Sequence, residues 1–384
     1  MADSVTPARP GDLGLVLTGG GARGAYQVGV LNWIASRHPE LRIPVLTGVS
    51  AGAVNVAKLA SHPGTFLQAM SELTGLWSEL TVEQVFRVEP WRLLNNALRW
   101  GLRLMSGGVF PAPEVHAFLD TAPLREFLSE VLATVRGEIT GVDYNLARGA
   151  LRAAGIITTS YSTGQTVVFL RGHDIQPWVR PQRRTVMTPL TLDHVMASAA
   201  LPMFFPAVRI GDGWYGDGGI RLAAPLSPAL HMGADRILAI STRFNRSQAE
   251  ADRPTVTGYP PPAQVLGVLL NAVFLDLVDQ DTVRLDRINR MVESLPHEKR
   301  DGMRIVKLLT FRPSSDLSRM ASKFEPSLPR GFRFMTRGLG TRETRSPDVL
   351  SMLMFQPDYI AELIAAGEAD AAARAEEIES FLEG

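Results

Sequence analysis

LGLVLTGGGARGAYQVG, residues 13–29, decides how the rest of the chain is read. An apolar run of strand length meets three glycines and passes into helix-like sequence. Such a strand–turn–helix junction turns backbone N–H groups and a helix N-terminus toward an anion. Gly19, Gly21 and Gly24 fit G-x-G-x-x-G, the phosphate cradle of dinucleotide-binding proteins. The same N–H groups equally suit the oxyanion that develops on a carbonyl during nucleophilic attack. The turn by itself does not separate these two chemistries.

Working outward, strand-like runs follow at 43–48, 151–160, 165–171, 235–242 and 303–311, and helix-like stretches at 24–37, 51–61, 123–135, 191–199 and 263–295. Alternation of this kind predicts an α/β fold, a three-layer α/β/α arrangement around a mostly parallel sheet. Residues 1–11 read as a mobile tail and 12–312 as the main domain. Within it, 64–122 is a cap or lid insertion punctuated by Pro and Gly. Residues 313–384 read as a C-terminal extension: 311–346 hold eight Lys or Arg against three Asp or Glu, and 358–384 turn acidic with an apolar stripe at Ile360, Leu363, Ile364, Ile378 and Leu382. The stretch 91–105 reads as an amphipathic helix with Arg92, Arg99 and Arg103 on one side, either a cap helix with a solvated arginine face or a peripheral membrane contact.

Bulk composition narrows the function classes. The 39 basic and 39 acidic side chains cancel, so no global field draws the chain to nucleic acid or to anionic membranes. There is no cysteine, which excludes disulfides, thiolate catalysis and Cys-ligated zinc. MADSVTPARPGD lacks the apolar core of a signal peptide, and 265–278, the longest apolar candidate, is interrupted by Asn271 and Asp276. That segment reads as a buried helix, and the expected location is cytoplasmic, with any membrane contact peripheral and local.

GVSAG at 48–52 tips the balance between the two chemistries. Gly48, Ser50 and Gly52 match G-x-S-x-G where a predicted strand enters and a predicted helix leaves, the context in which a serine sits on a sharp turn and presents its hydroxyl. A serine in an ordinary Gly-rich turn is the bland alternative. A dinucleotide site would need an acidic residue at the end of this second strand, and Thr47, Gly48, Val49 and Ser50 stand there instead. The serine needs a base. None of the seven histidines (38, 62, 116, 173, 194, 231 and 297) stands in a motif-like setting. In GDGWYGDGGIRL, Asp217 sits between glycines just beyond Trp214 and Tyr215, which suits either a presented acid or a turn cap.

GGGARG (19–24), GVSAG (48–52) and DGG (217–219), in that order, resemble the patatin-like phospholipase family, and the similarity extends through 194–242 and 269–289. The resemblance implies a lipid acyl hydrolase with a Ser–Asp dyad: Ser50 as nucleophile, Asp217 as base, and the oxyanion held by backbone N–H groups of the loop Gly19, Gly20, Gly21, Ala22, Arg23 and Gly24. Arg23 would neutralise charge near the loop or anchor it. The implied substrate is a phospholipid or related acyl ester, with no cofactor and no metal. A transacylase would use the same residues, and a non-catalytic lipid-surface or regulatory protein would keep them as scaffold.

Overall fold

The computed structural model describes residues 12–87, 90–107, 117, 119–245, 247–252, 258–273, 278–329, 331–333 and 348–383. The tail expected at 1–11 lies outside them. Ten strands build one sheet among the described residues: β1 (Leu13–Leu17), β2 (Val45–Val49), β3 (Ala153–Ser160), β4 (Thr166–Gly172), β5 (Val179–Arg180), β6 (Arg183–Met187), β7 (Val208–Ile210), β8 (Gly213–Asp217), β9 (Arg236–Ile240) and β10 (Lys307–Phe311). Their order is β10-β9-β1-β2-β3-β4-β6-β5, with β8 paired to β3 and β7 to β8. The central strands β10, β9, β1, β2 and β3 are parallel, and β3–β4, β3–β8, β5–β6 and β7–β8 are antiparallel. β1, β2 and β3 are buried at every residue, which their unbroken apolar and small side chains allow in a sheet covered on both faces.

The six expected strands are β1, β2, β3, β4, β9 and β10. β5, β6 and β7 were not expected: β5 and β7 span only two and three residues, and β6 reads RRTVM, where charge masks any alternation. Helix α1 (Gly24–Arg37) leaves the glycine turn after β1, α2 (Ala51–Ser61) leaves the GVSAG turn after β2, and α3 (Phe66–Ser78) follows, opened by a Thr65–Gln68 capping box. The stretch 263–295 is helical over Pro262–Val273 and Val278–Ser294, and 274–277 lie outside the described residues. Burial expected for 265–278 is mixed among the described side chains: Leu270 and Val278 are buried, while Val265, Val268 and Leu269 are exposed, and the helix packs on Asp348–Leu353.

The C-terminal helix Pro357–Ala373 packs directly on α1. Gly29 and Gly367 let the two backbones touch, since a Cβ at Gly29 would meet Ile364 O at 2.0 Å and one at Gly367 would meet Tyr26 O at 2.2 Å. Tyr26 Oη donates to Asp370 Oδ2 at 2.9 Å across the same contact. On the helix Pro90–Met105, the apolar side chains of Trp91, Leu98, Leu102 and Met105 are 74%, 57%, 59% and 89% exposed. No helix among the described residues is long and apolar enough to cross a membrane.

Candidate active site

The strand register builds the site. β3 has two edges, and β4 occupies one of them from Ala153 to Thr159. On the other edge β2 runs until Val49 faces Ile157, and there it stops. β8, running the opposite way, takes over the vacated edge with Asp217 facing Thr158. The carboxyl ends of β2 and β8 therefore meet head to head, which brings the residue after Val49, Ser50, beside Asp217. A Cβ at Gly218 would lie 2.2 Å from Ile157 O and 2.8 Å from Val49 Cγ2, so this junction admits glycine alone.

Ser50 holds φ 56° and ψ −126°, a left-handed conformation that an L-residue adopts only when its surroundings impose it. Two contacts impose it. The Ser50 N–H donates to Ser198 Oγ at 2.9 Å, and Ser198 Oγ donates onward to Ile157 O at 2.6 Å, which ties the turn to β3. Beneath the turn, a Cβ at Gly48 would meet Gly52 O at 2.3 Å, so strand and helix can reverse this tightly only with glycine there. Ser50 is mostly buried and stands at the N-terminus of α2, where the helix dipole favours negative charge on its oxygen.

Asp217 is 1% exposed. Its Oδ1 accepts the Gly219 N–H at 2.8 Å, and its Oδ2, fully enclosed, accepts no hydrogen bond. Burial is the main cause of a carboxyl pKa pushed up to about 7, with the nearby Ser50 hydroxyl and the Gly219 N–H pulling the other way. The Ser50 hydroxyl is thus close enough to favour the carboxylate while standing outside hydrogen-bonding geometry to Oδ2. Tyr161 also feels Asp217: burial and then the carboxylate's charge push its phenol up.

The glycine loop arches over the same point. A Cβ at Gly19 would lie 2.9 Å from Ser50 Cβ, so loop and serine are in contact. The carbonyls before the turn are held away from the serine: Thr18 O accepts from Gln27 Nε2 at 2.8 Å, and Gly19 O accepts from Thr242 Oγ1. The N–H groups of Gly19 and Gly20 have no partner among the described residues, and those of Gly21 and Ala22 precede the first bond of the turn, Arg23 N–H to Gly20 O at 3.2 Å. Arg23 and Gly24 use their own N–H groups inside the turn. The Arg23 side chain points away from Ser50: its Nε donates to Ser351 Oγ at 2.7 Å and a terminal nitrogen pairs with Asp348 Oδ1 at 2.8 Å. It anchors the loop to the C-terminal segment, whose Met352 carbonyl presses against Gly21 at φ +57°.

From Ser50 an apolar slot of about 70 Å³ runs along α2, lined by Ala51, Val54 and Lys58, by Leu73 and Trp77 of α3, by Leu124 and Leu128 of the helix Ala122–Val131, and by Phe205 and Phe355. No histidine lines it. His194 is buried elsewhere, stacked on Phe169 and lowered to about 4 by desolvation, while His62 and His38 pair with Glu72 and Glu379. His116 lies outside the described residues. Ser198, Thr242 and the Arg23–Asp348 link were invisible in the sequence, because each is defined by a partner far along the chain.

A family model described as patatin-like phospholipase matches residues 15–230. Among solved structures, the fold is similar to VipD from Legionella pneumophila, at 14% identity over 91% of this chain and 67% of that one, TM-score 0.37. It is also similar to human GIVD cytosolic phospholipase A2 bound to methyl gamma-linolenyl fluorophosphonate and terbium chloride, at 14% identity over 100% of this chain and 60% of that one, TM-score 0.45. The ExoU–SpcU complex of Pseudomonas aeruginosa aligns at 15% identity over 97% and 78%, TM-score 0.29. These likenesses are too distant to bear on chemistry, and the chain spans about two thirds of the first and 60% of the second. A comparison with curated proteins finds no match.

Proposed function

This chain belongs to the patatin-like phospholipase family, and from that premise we propose that it hydrolyses fatty-acyl esters of phospholipids or related lipids through Ser50 and Asp217. One observation carries the reading: an enclosed carboxylate oxygen without a hydrogen bond lies beside a strained serine at the mouth of an apolar slot.

Asp217, ionised, takes the proton of Ser50 Oγ as that oxygen attacks the ester carbonyl. A carboxylate with the ordinary pKa of about 4 would be a feeble base, and burial corrects this. The negative charge that forms on the carbonyl oxygen faces the N–H groups of Gly19, Gly20, Gly21 and Ala22, with the α2 N-terminus adding to the field. The tetrahedral species collapses as the C–O bond to the leaving alcohol breaks and Asp217 returns the proton to that alcohol. A water then loses its proton to Asp217 and attacks acyl-Ser50, and as the acyl C–O bond breaks Asp217 passes that proton to Ser50 Oγ, freeing the fatty acid and restoring both residues. The slot receives the acyl chain, and residues 64–122, which supply Leu73, Leu76 and Trp77 to its wall, act as its cap.

The chain docks on lipid surfaces through the helix Pro90–Met105. Trp91, Leu98, Leu102 and Met105 recur at spacings of seven, four and three, one stripe of the helix, and all face solvent beside the exposed Arg103. The decisive experiment is phospholipid hydrolysis by Ser50→Ala and Asp217→Asn: both should lose at least about a thousandfold in kcat, in line with removal of members of comparable nucleophilic units. Turnover near wild type in either variant refutes the dyad.

A further inference from the structure

Three successive glycines leave a loop free to turn its peptides in many directions, so donors aimed at an oxyanion have to be aimed by something outside the loop. We infer that Gln27 and Thr242 are the positioning residues that do this: by taking the carbonyls of Thr18 and Gly19, they turn the N–H groups of Gly19 and Gly20 toward the charge that forms beside Ser50. This role rests on the acyl-hydrolase reading of Ser50 and deepens it.

A peptide unit is planar, and every one among the described residues is trans, so the N–H of one residue points opposite to the carbonyl of the residue before it. Thr18 is the first residue beyond the β1–β9 ladder, which ends with Leu17 facing Ile240. Its N–H still donates to Ile240 O at 3.2 Å, but its carbonyl goes to a side chain, accepting from Gln27 Nε2 at 2.8 Å. That bond fixes the plane of the Thr18–Gly19 peptide and with it the direction of Gly19 N–H. One residue on, Thr242 Oγ1 donates to Gly19 O and fixes the Gly20 N–H in the same manner. Neither N–H has a partner among the described residues, and Gly19 stands against the serine, where a Cβ would lie 3.6 Å from Ser50 Oγ.

Gln27 is itself held without slack. It is fully buried in the first turn of α1, and its Nε2 also donates to Ile240 O at 3.2 Å while its Oε1 accepts from Asn55 Nδ2 at 3.1 Å. Asn55, fully buried on α2, donates through the same nitrogen to Gly24 O at 3.3 Å, and its Oδ1 accepts the indole N–H of Trp77 at 2.8 Å. An indole nitrogen only donates. Trp77 therefore settles which end of the Asn55 amide faces it, Asn55 settles the Gln27 amide, and the Gln27 nitrogen is left facing Thr18 O. A reversed Gln27 would set its oxygen against two carbonyls. Trp77 also lines the apolar slot, so one hydrogen-bonded chain runs from the slot wall to the glycine loop.

The test is steady-state hydrolysis of p-nitrophenyl butyrate, and its inhibition by a short alkyl trifluoromethyl ketone, in wild type, Gln27→Met, Thr242→Ala and Thr242→Ser. Ser50 Oγ adds to the ketone carbon as its proton passes to Asp217, and the ketone oxygen becomes an anion where the substrate oxyanion would form. Gln27→Met keeps the length of the side chain and loses the donor. It should lower kcat about ten- to a hundredfold, part of what a lost oxyanion donor costs, leave KM within about twofold, and raise the ketone Ki by the factor that it takes from kcat/KM. Thr242→Ala should move the same quantities in the same directions, and Thr242→Ser, which restores the hydroxyl, should recover most of the loss.

A Ki that stays at the wild-type value while kcat falls overturns the inference, because loss of folded enzyme lowers kcat and leaves Ki untouched. Wild-type kinetics in folded Gln27→Met overturn it as well, as does a Thr242→Ser no better than Thr242→Ala, a comparison that decides alone if Gln27→Met does not fold. In all these cases the wild type still hydrolyses the ester and the acyl-hydrolase reading stands. A wild type that hydrolyses neither this ester nor phospholipid vesicles refutes both.

Discussion

Asp217→Asn should make the protein more stable at alkaline pH while abolishing its activity. In the folded chain the carboxyl titrates at about 7, against 3.8 in an unstructured one, because burial disfavours the ion. Between those values the native state binds a proton that the unfolded state has released. The carboxyl's contribution is therefore fully favourable below about pH 4, declines as pH rises, and is exhausted above about pH 7. The shift of roughly three units corresponds to about 4 kcal/mol held against folding at pH 8. Asparagine has no charge to desolvate and keeps an oxygen to accept the Gly219 N–H. Its variant should thus unfold at a higher temperature than wild type at pH 8, by about 5 °C if the full 4 kcal/mol is recovered in a chain of this length. The gap should close toward pH 4, and thermal melts of both proteins every half unit from pH 4 to pH 8.5 read it directly. Equal melting curves at pH 8, or a difference independent of pH, would refute the claim that Asp217 is an ion stored in an apolar site. The same ionisation should govern catalysis, with kcat/KM rising through a midpoint near 7, about tenfold from pH 6 to pH 8.

Further outcomes follow from the supports of the site. Ser198→Ala removes the hydroxyl between Ser50 N–H and Ile157 O, and should lower kcat by about ten- to a hundredfold with KM nearly unchanged, whereas Ser198→Thr recovers part of the loss; unaltered steady-state kinetics in Ser198→Ala would show that the turn holds itself. Arg23→Ala removes the guanidinium that ties the glycine loop to Ser351 and Asp348 in a largely buried contact and should cost about 3 kcal/mol in urea unfolding. Gly52→Ala should fail to accumulate as folded protein, since its Cβ would lie 2.4 Å from Leu17 O. Leu98→Ser with Leu102→Ser should weaken co-sedimentation with anionic phosphatidylglycerol vesicles about tenfold or more, the loss expected on removing two exposed apolar anchors, while melting temperature stays put.

What was legible in the sequence was whatever local chemistry dictates. α1 and α2 begin and end where their apolar patterns do, because each starts at a glycine turn that only one backbone geometry satisfies. GVSAG could be read as a sharp turn because Gly48 and Gly52 are needed by the close approach of the strand and the helix on either side of the serine. The glycines around Asp217 left it open between a presented acid and a turn cap, and the family resemblance made it the candidate base; its position opposite Thr158 depends on β8 occupying the edge that β2 leaves, which no local pattern encodes. β5, β6 and β7 escaped notice because strands of two to five residues carrying arginines show no period to detect. The helix Pro90–Met105 was legible as amphipathic, yet only the structure turns Leu98 and Leu102 to solvent, since a hydrophobic stripe does not say whether protein or lipid covers it.

The most direct test of the central claim is to treat the protein with a short-chain alkyl fluorophosphonate and map the modified peptide by mass spectrometry, in wild type and in Asp217→Asn. The account predicts a single adduct on Ser50 in the wild type, formed with a pH midpoint near 7, and labelling slowed by at least about a hundredfold in Asp217→Asn, as expected when a serine loses its general base. Labelling of Ser50 at the same rate in both proteins, or an adduct on a different residue, would contradict it.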